Sequence, residues 1–190
     1  DIDTFKFEFE IDEIQENNIR LSPMTLNINE LAINDDIFID IIVEELLVSA
    51  LNEEGISNGI SGFGLELIIP NNLELVEVLN INENFTSLND IEQEDGINTL
   101  WQVTPYGSMN DKLTLSLLNN LNDQNTFIDG TILLAKLKFK INQLDQNTTD
   151  LSIQFLNQDT KFYWYDNENL TSFNSSIFNG YHGTNINIIR

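Results

Sequence analysis

Hydrophobic residues in this chain fall largely on alternate positions, most clearly over Thr131–Ile141. Leu133, Ala135, Leu137, Phe139 and Ile141 share one parity, while Lys136, Lys138 and Lys140 hold the other. A period of two sends successive side chains to opposite faces of a strand, so this run has one buried and one charged side. Ile128-Asp129-Gly130 just ahead supplies a turn, because glycine tolerates the positive φ that other residues resist. The run is expected to be a central strand, with its neighbours pairing beside it or packing across from it.

The same alternation recurs along the chain. Phe5, Phe7, Phe9 and Ile11 form one pattern, and the polar stretch Glu13–Arg20 reads as a linker, so residues 1–20 form a strand-and-linker extension. Leu21-Ser22-Pro23 opens the main unit, residues 21–190. Met24, Leu26 and Ile28 give its first strand, and Ile37, Ile39, Ile41 and Val43 its second. Glu44–Asn52 suits one or two helical turns or a long loop. Phe63, Leu65 and Leu67 begin a third strand, Pro70-Asn71-Asn72 turns it, and Leu73–Ile81 returns with the mixed parity of a bulge. Ser87 followed by Asp90 is a helix-start signal.

Asn98–Thr104 is the fifth strand and Pro105–Asp111 a turn. Leu113, Leu115 and Leu117 mark the sixth strand, and Leu151, Ile153 and Phe155 a later one. The aromatic run Phe162–Tyr165 follows, and Asn185–Ile189 closes the chain. About nine strands with turn signals between them favour an all-β sandwich of two antiparallel sheets.

Charge narrows the function. Eight Lys plus Arg against 31 Asp plus Glu leave a net charge of −23, which argues against nucleic-acid binding, since phosphate contacts need clustered cations. Such a surface is either simply well solvated or suited to a partner that carries cations. Without cysteine there are no disulfides or thiolate metal sites. No apolar run approaches the roughly 18 residues a membrane helix needs. The start at Asp1, with no signal peptide, is that of an excised domain or mature fragment.

Several stretches together resemble a cohesin module, the receptor half of the cohesin–dockerin pair of scaffoldins and other bacterial and archaeal surface proteins. They are LSPMTLNINELAINDDIFIDIIVEEL (21–46), GFGLELIIPNNLELVEVLNI (62–81), KLTLSLLNN (112–120), DGTILLAKLKFKI (129–141), LSIQF (151–155) and FNGYHGTNINII (178–189). The chain departs from that pattern at Ile69-Pro70, where the family has Asp-Pro, and in the longer segments Glu44–Ser61 and Phe162–Ser176.

The resemblance implies a nine-stranded jelly roll that is extracellular or at the cell surface and takes a dockerin on the sheet of its third, fifth, sixth and eighth strands. Carried onto this chain by alternation, the outward residues are Gly64, Glu66 and Ile68; Gln102 and Thr104; Thr114, Ser116 and Leu118; and Ser152, Gln154 and Leu156. Ile68, Leu118 and Leu156 offer apolar area, and the others a polar rim. No cofactor is implied for this chain; calcium belongs to the dockerin. Lys136, Lys138 and Lys140 then lie outside the opposite sheet, with Asp40 and Glu44 across from them as a structural charge ladder.

Catalytic chemistry finds little support. His182 is the only histidine, no Gly-rich phosphate loop is present, and neither acidic loop (Asn122–Asp129 or Glu92–Asp95) matches the twelve-residue calcium loop. Two other non-enzymatic readings stand beside the receptor. One is a carbohydrate-binding module using Trp101 and Phe162–Tyr165; the other is a structural spacer in an adhesin or surface protein.

Overall fold

The computed structural model describes residues 18–29, 35–46, 62–80, 86–87, 101–118, 130–142, 144, 147–156, 160–166, 169–175 and 178–189. In chain order the strands are β1 (Asn18–Ser22), β2 (Thr25–Asn29), β3 (Ile37–Leu46), β4 (Gly62–Pro70), β5 (Leu73–Asn80), β6 (Thr86–Ser87) and β7 (Trp101–Tyr106). They continue as β8 (Asn110–Leu118), β9 (Gly130–Ile141), β10 (Asp150–Phe155), β11 (Thr160–Asp166), β12 (Asn169–Ser175), β13 (Gly180–His182) and β14 (Thr184–Ile189).

They form two sheets. The smaller has the order β13-β1-β3-β9-β5. In the larger, the path β12-β11-β4-β10-β14-β2 is joined by β8 on β4, and by β6 and β7 on β8. Most ladders are antiparallel, as expected; β1–β13 and β14–β2 are parallel.

Alternation explains which way each strand faces. Ile37, Ile39, Ile41 and Val43 of β3 are buried, as are Phe63, Leu65, Leu67 and Ile69 of β4, Leu113 and Leu115 of β8, and Leu151 and Ile153 of β10. These inner rows meet between the sheets, the sandwich arrangement that lets each sheet bury one face. β9 lies between β3 and β5 and is central, as its sequence implies.

The parity of β9 breaks at one place. Ala135, Leu137, Phe139 and Ile141 point inward, but so do Ile132 and Leu134, while Leu133 is only half-buried. Ile41 pairs with Ala135 and Ile42 with Leu133, so Leu134 is an extra residue in a bulge that flips the alternation beyond it. The bulge expected in β5 is present between Leu75 and Glu77, with Val76 turned outward.

Other expectations change. Asn18–Arg20 are not linker: they belong to β1, where fully buried Ile19 pairs with Val43 and Tyr181. The Phe5–Ile11 pattern lies outside the described residues. Met24 is exposed, because the chain leaves the smaller sheet after Ser22 and enters the larger one only at Thr25. The Thr184 hydroxyl donates to the Pro23 carbonyl at this crossing.

Glu44–Leu46 extend β3 instead of starting a helix, and residues 47–52 lie outside the described residues. Ser87 pairs with Leu117 as a strand residue. The turn expected over Pro105–Asp111 shrinks to Gly107–Met109, with Gly107 at φ 79°. Pro105 is tolerated in β7 because, among the described residues, this strand pairs on one side only, with β8.

Candidate partner-binding face

β7, β8, β4 and β10 stand side by side, so the four strands singled out from the sequence share one outer face. Strand register sets the rows on it. Thr104 pairs with Lys112, Lys112 with Ile68, and Ile68 with Gln154. One step along, Gln102 pairs with Thr114 and Thr114 with Glu66. The Leu156 amide donates to the Glu66 carbonyl at 2.9 Å, which brings half-buried Leu156 to the end of that row. Ser116 lies opposite Gly64 in the next row.

Gln102 and Gln154 are exposed, while Glu66, Ile68, Thr104, Thr114, Ser116 and Ser152 are half-buried. Gly64 is buried and offers no side chain. The Leu118 side chain lies outside the described residues; its backbone pairs with Gly62 and Thr86.

Beyond Phe155 the place beside β4 passes to another strand. β10 pairs with β4 at Ile68 and Leu67, and β11 then pairs at Gly64, Phe63 and Gly62. The hairpin β11–β12 therefore continues this sheet, which accounts for the length of the Phe162–Ser176 segment. On the other side of β10, Ser152 pairs with Asn185 and Asn185 with Thr25, carrying the polar surface onto β14 and β2.

Local contacts order several of these side chains. Gln154 Nε2 donates to Ser152 Oγ at 2.5 Å. A side chain at Gly183 would run into the Ile153 carbonyl and the Gln154 amide, so glycine is what lets the β13–β14 junction pack beneath them. Lys112 Nζ lies 3.2 Å from Glu66 Oε1.

Two residues of this face escaped the sequence reading. Lys112 shares the parity of Thr114 and sits between Thr104 and Ile68, but it precedes the leucine pattern that marked the strand. Tyr106 shares the parity of Gln102 and Thr104 and is 44% exposed. It was absorbed into an expected turn; the continuing alternation past Pro105 was the available signal. Next to it Met109, at the hairpin tip, is 70% exposed, and its carbonyl accepts from the Asn71 amide at 3.1 Å.

The outer face of the smaller sheet has different chemistry. Lys136 pairs with Asp40 at 2.9 Å, Lys138 with Asp36 at 2.9 Å, and Lys140 with Asp36 at 3.8 Å. Glu44, expected opposite the lysines, instead pairs with Arg20 one strand away. The exposed Phe38 ring has Lys136 and Lys138 ammonium groups each 6.0 Å from its centre. The hydrogen bond to Asp36 raises the Lys138 pKa above the ordinary lysine value of 10.5; desolvation opposes it, and the charges of Asp36 and Glu77 add to it.

Trp101, proposed for a sugar platform, is half-buried against the core instead of standing free. The side chains of Phe162–Tyr165 lie outside the described residues. His182 is exposed at the end of β13.

No family model and no curated protein matches the sequence. Solved structures do match in fold. The seventh ScaB type I cohesin of Pseudobacteroides cellulosolvens is 13% identical with a TM-score of 0.51, covering 90% of this chain and 91% of that one. The OlpC cohesin of Clostridium thermocellum, solved in complex with Doc435, is 14% identical with a TM-score of 0.51 over 95% of this chain and 100% of that one. The sixth cohesin of Acetivibrio cellulolyticus scaffoldin B, solved with the Cel5 dockerin, is 12% identical with a TM-score of 0.51 over 92% and 100%. This chain has the cohesin fold.

Proposed function

We propose that the chain is a non-catalytic receptor module that takes a dockerin-type domain on the outer face of β7, β8, β4 and β10, in a secreted or cell-surface assembly. The observation that carries this reading is the make-up of that face on a cohesin fold. Ile68 stands near its centre, flanked in register by Lys112 and Gln154; neutral hydroxyl and amide side chains fill most of the remaining outward positions, and the Lys112–Glu66 ion pair is the one that crosses the face among the described residues. An interface core is depleted in charge and relies on a few apolar or aromatic anchors inside a polar rim. Ile68, Leu156 and Tyr106 suit the anchor role; Gln102, Thr104, Thr114, Ser116, Ser152 and Gln154 suit the rim, with Glu66 and Leu118 completing the set.

The ordered strands mean that little has to be rearranged on binding, which limits the entropic cost. The net charge of −23 draws a cationic partner surface in from a distance, raising the association rate more than the final affinity. Calcium enters through the partner, which folds around it.

Calorimetry of the chain against dockerins from the same genome tests the reading. Saturable binding of at least one of them, lost when a chelator strips that dockerin of calcium, is the expected result. No heat of binding with any member of the set contradicts it.

A further inference from the structure

We infer that Glu66 and Lys112 act together as a polar pin that fixes which way round the partner lies on this face. The inference rests on the receptor reading and adds a direction to it.

Three observations support the pin. First, the pair sits on the two inner strands of the four, β4 and β8, with Thr104 beside Lys112, Thr114 beside Glu66, and Ile68 paired with Lys112. A partner that covers Ile68 covers the pair as well. Second, it stands alone: among the described residues, the outer face of the smaller sheet carries four ion pairs and that of the larger sheet carries this one. Lys112 is the one Lys or Arg within β7, β8, β4 and β10, so it is the one cation these four strands offer to a docking surface. Third, the side chains are 31% and 33% exposed, so they can be reached but are held by their neighbours.

Chemistry then gives the pair a direction. A lysine ammonium has three donors, and Glu66 takes one of them; the carboxylate still has free lone pairs. In water the remaining groups are solvated. Beneath a partner they lose that water, and an uncompensated charge is costly to cover. The partner must therefore bring an acceptor oxygen to Lys112 and a donor to Glu66. Acceptor and donor have a fixed order across β8 and β4, so a partner turned by half a revolution would set oxygen against carboxylate and donor against ammonium. Only one orientation satisfies both ends.

The test uses the full chain and a calcium-loaded dockerin that binds it, with affinities from calorimetry and melting curves as a check on folding. Lys112→Met and Glu66→Gln are each expected to weaken binding by at least about tenfold. The exchange variant, Glu66→Lys with Lys112→Glu, keeps an ion pair but reverses its order. It is expected to bind no better than either single variant. Because the pair is reached by solvent and surface pairs add little to stability, all three variants should melt close to the parent.

Wild-type affinity in the exchange variant overturns the inference, since any ion pair would then serve. Unchanged affinity in both single variants overturns it too, while leaving the receptor reading intact if Ile68→Arg still abolishes binding. A dockerin set that fails against the unaltered chain removes the receptor reading, and the pin falls with it.

Discussion

The two outer faces of this sandwich are built from the same strand geometry and do different things with it. On the smaller sheet, Arg20, Lys136, Lys138 and Lys140 are each matched by Glu44, Asp40 or Asp36. Every described cation there has a carboxylate within the same molecule, so the surface is satisfied without a partner. On the larger sheet one ion pair, Lys112–Glu66, lies beside Ile68, amides and hydroxyls fill most of the other outward positions, and Tyr106 stands exposed at the edge. That surface keeps hydrogen-bonding capacity and apolar area in reserve. Charge matched within a sheet serves the fold, and uncommitted neutral groups are what an outside partner can use.

The largest expected effect breaks the second face. Ile68→Arg puts a long cation at its centre and should reduce affinity for a dockerin at least about a hundredfold, or about 2.8 kcal/mol. The melting temperature should move little, because Ile68 is only half-buried. Calorimetry and a thermal melt read the two separately. A large loss of stability would assign Ile68 to the core instead.

Next comes the first face. Reversing Lys136, Lys138 and Lys140 to Glu removes three ion pairs and sets like charges against Asp36 and Asp40. Exposed pairs contribute about 0–1 kcal/mol each, so with the added repulsion the loss should be about 2–3 kcal/mol. In a chain of this size that lowers the melting temperature by about 4–10 °C. Dockerin affinity should stay within about threefold of the parent. Lost binding with an unchanged melt would exchange the roles given to the two faces.

A smaller effect is expected at Arg20. Arg20→Gln removes one half-buried pair with Glu44 and should cost about 0.5–1 kcal/mol in urea denaturation, with no change in binding. The smallest effect is on pH dependence. Lys138 holds its proton more tightly when folded, so its contribution is fully present at neutral pH and fades as pH climbs past 10.5. Melts between pH 9 and 12 should show this alkaline loss, and Lys138→Met should diminish it.

Much of this contrast was readable from alternation, because a period of two states directly which residues share a face. That Lys136 and Asp40 point outward on their strands, and Gln102, Thr114 and Glu66 on theirs, follows from it; the register that sets them in rows comes from the strand pairing. What could not be read arose where the local signal was flat or the cause was distant. Ile132-Leu133-Leu134-Ala135 is apolar throughout, so nothing marks Leu134 as the bulged residue. The strand role of Ile19 depends on β3 and β13, far along the chain, while its own neighbours are polar. Tyr106 was hidden by Pro105 and Gly107, two strong turn signals around a residue that is still paired with Asn110. The parallel ladder between β14 and β2 joins the two ends of the fold, and no short window contains it.

The central claim, that the larger sheet's outer face is where the partner lies, is tested most directly by amide shift mapping of the isotope-labelled chain during titration with a calcium-loaded dockerin. The account predicts that the strongest perturbations fall on Glu66, Ile68, Thr104, Lys112, Thr114 and Gln154, with Asp40, Lys136 and Lys138 unmoved. Perturbations gathered on Phe38, Asp40 and Lys136–Lys140 instead would contradict it.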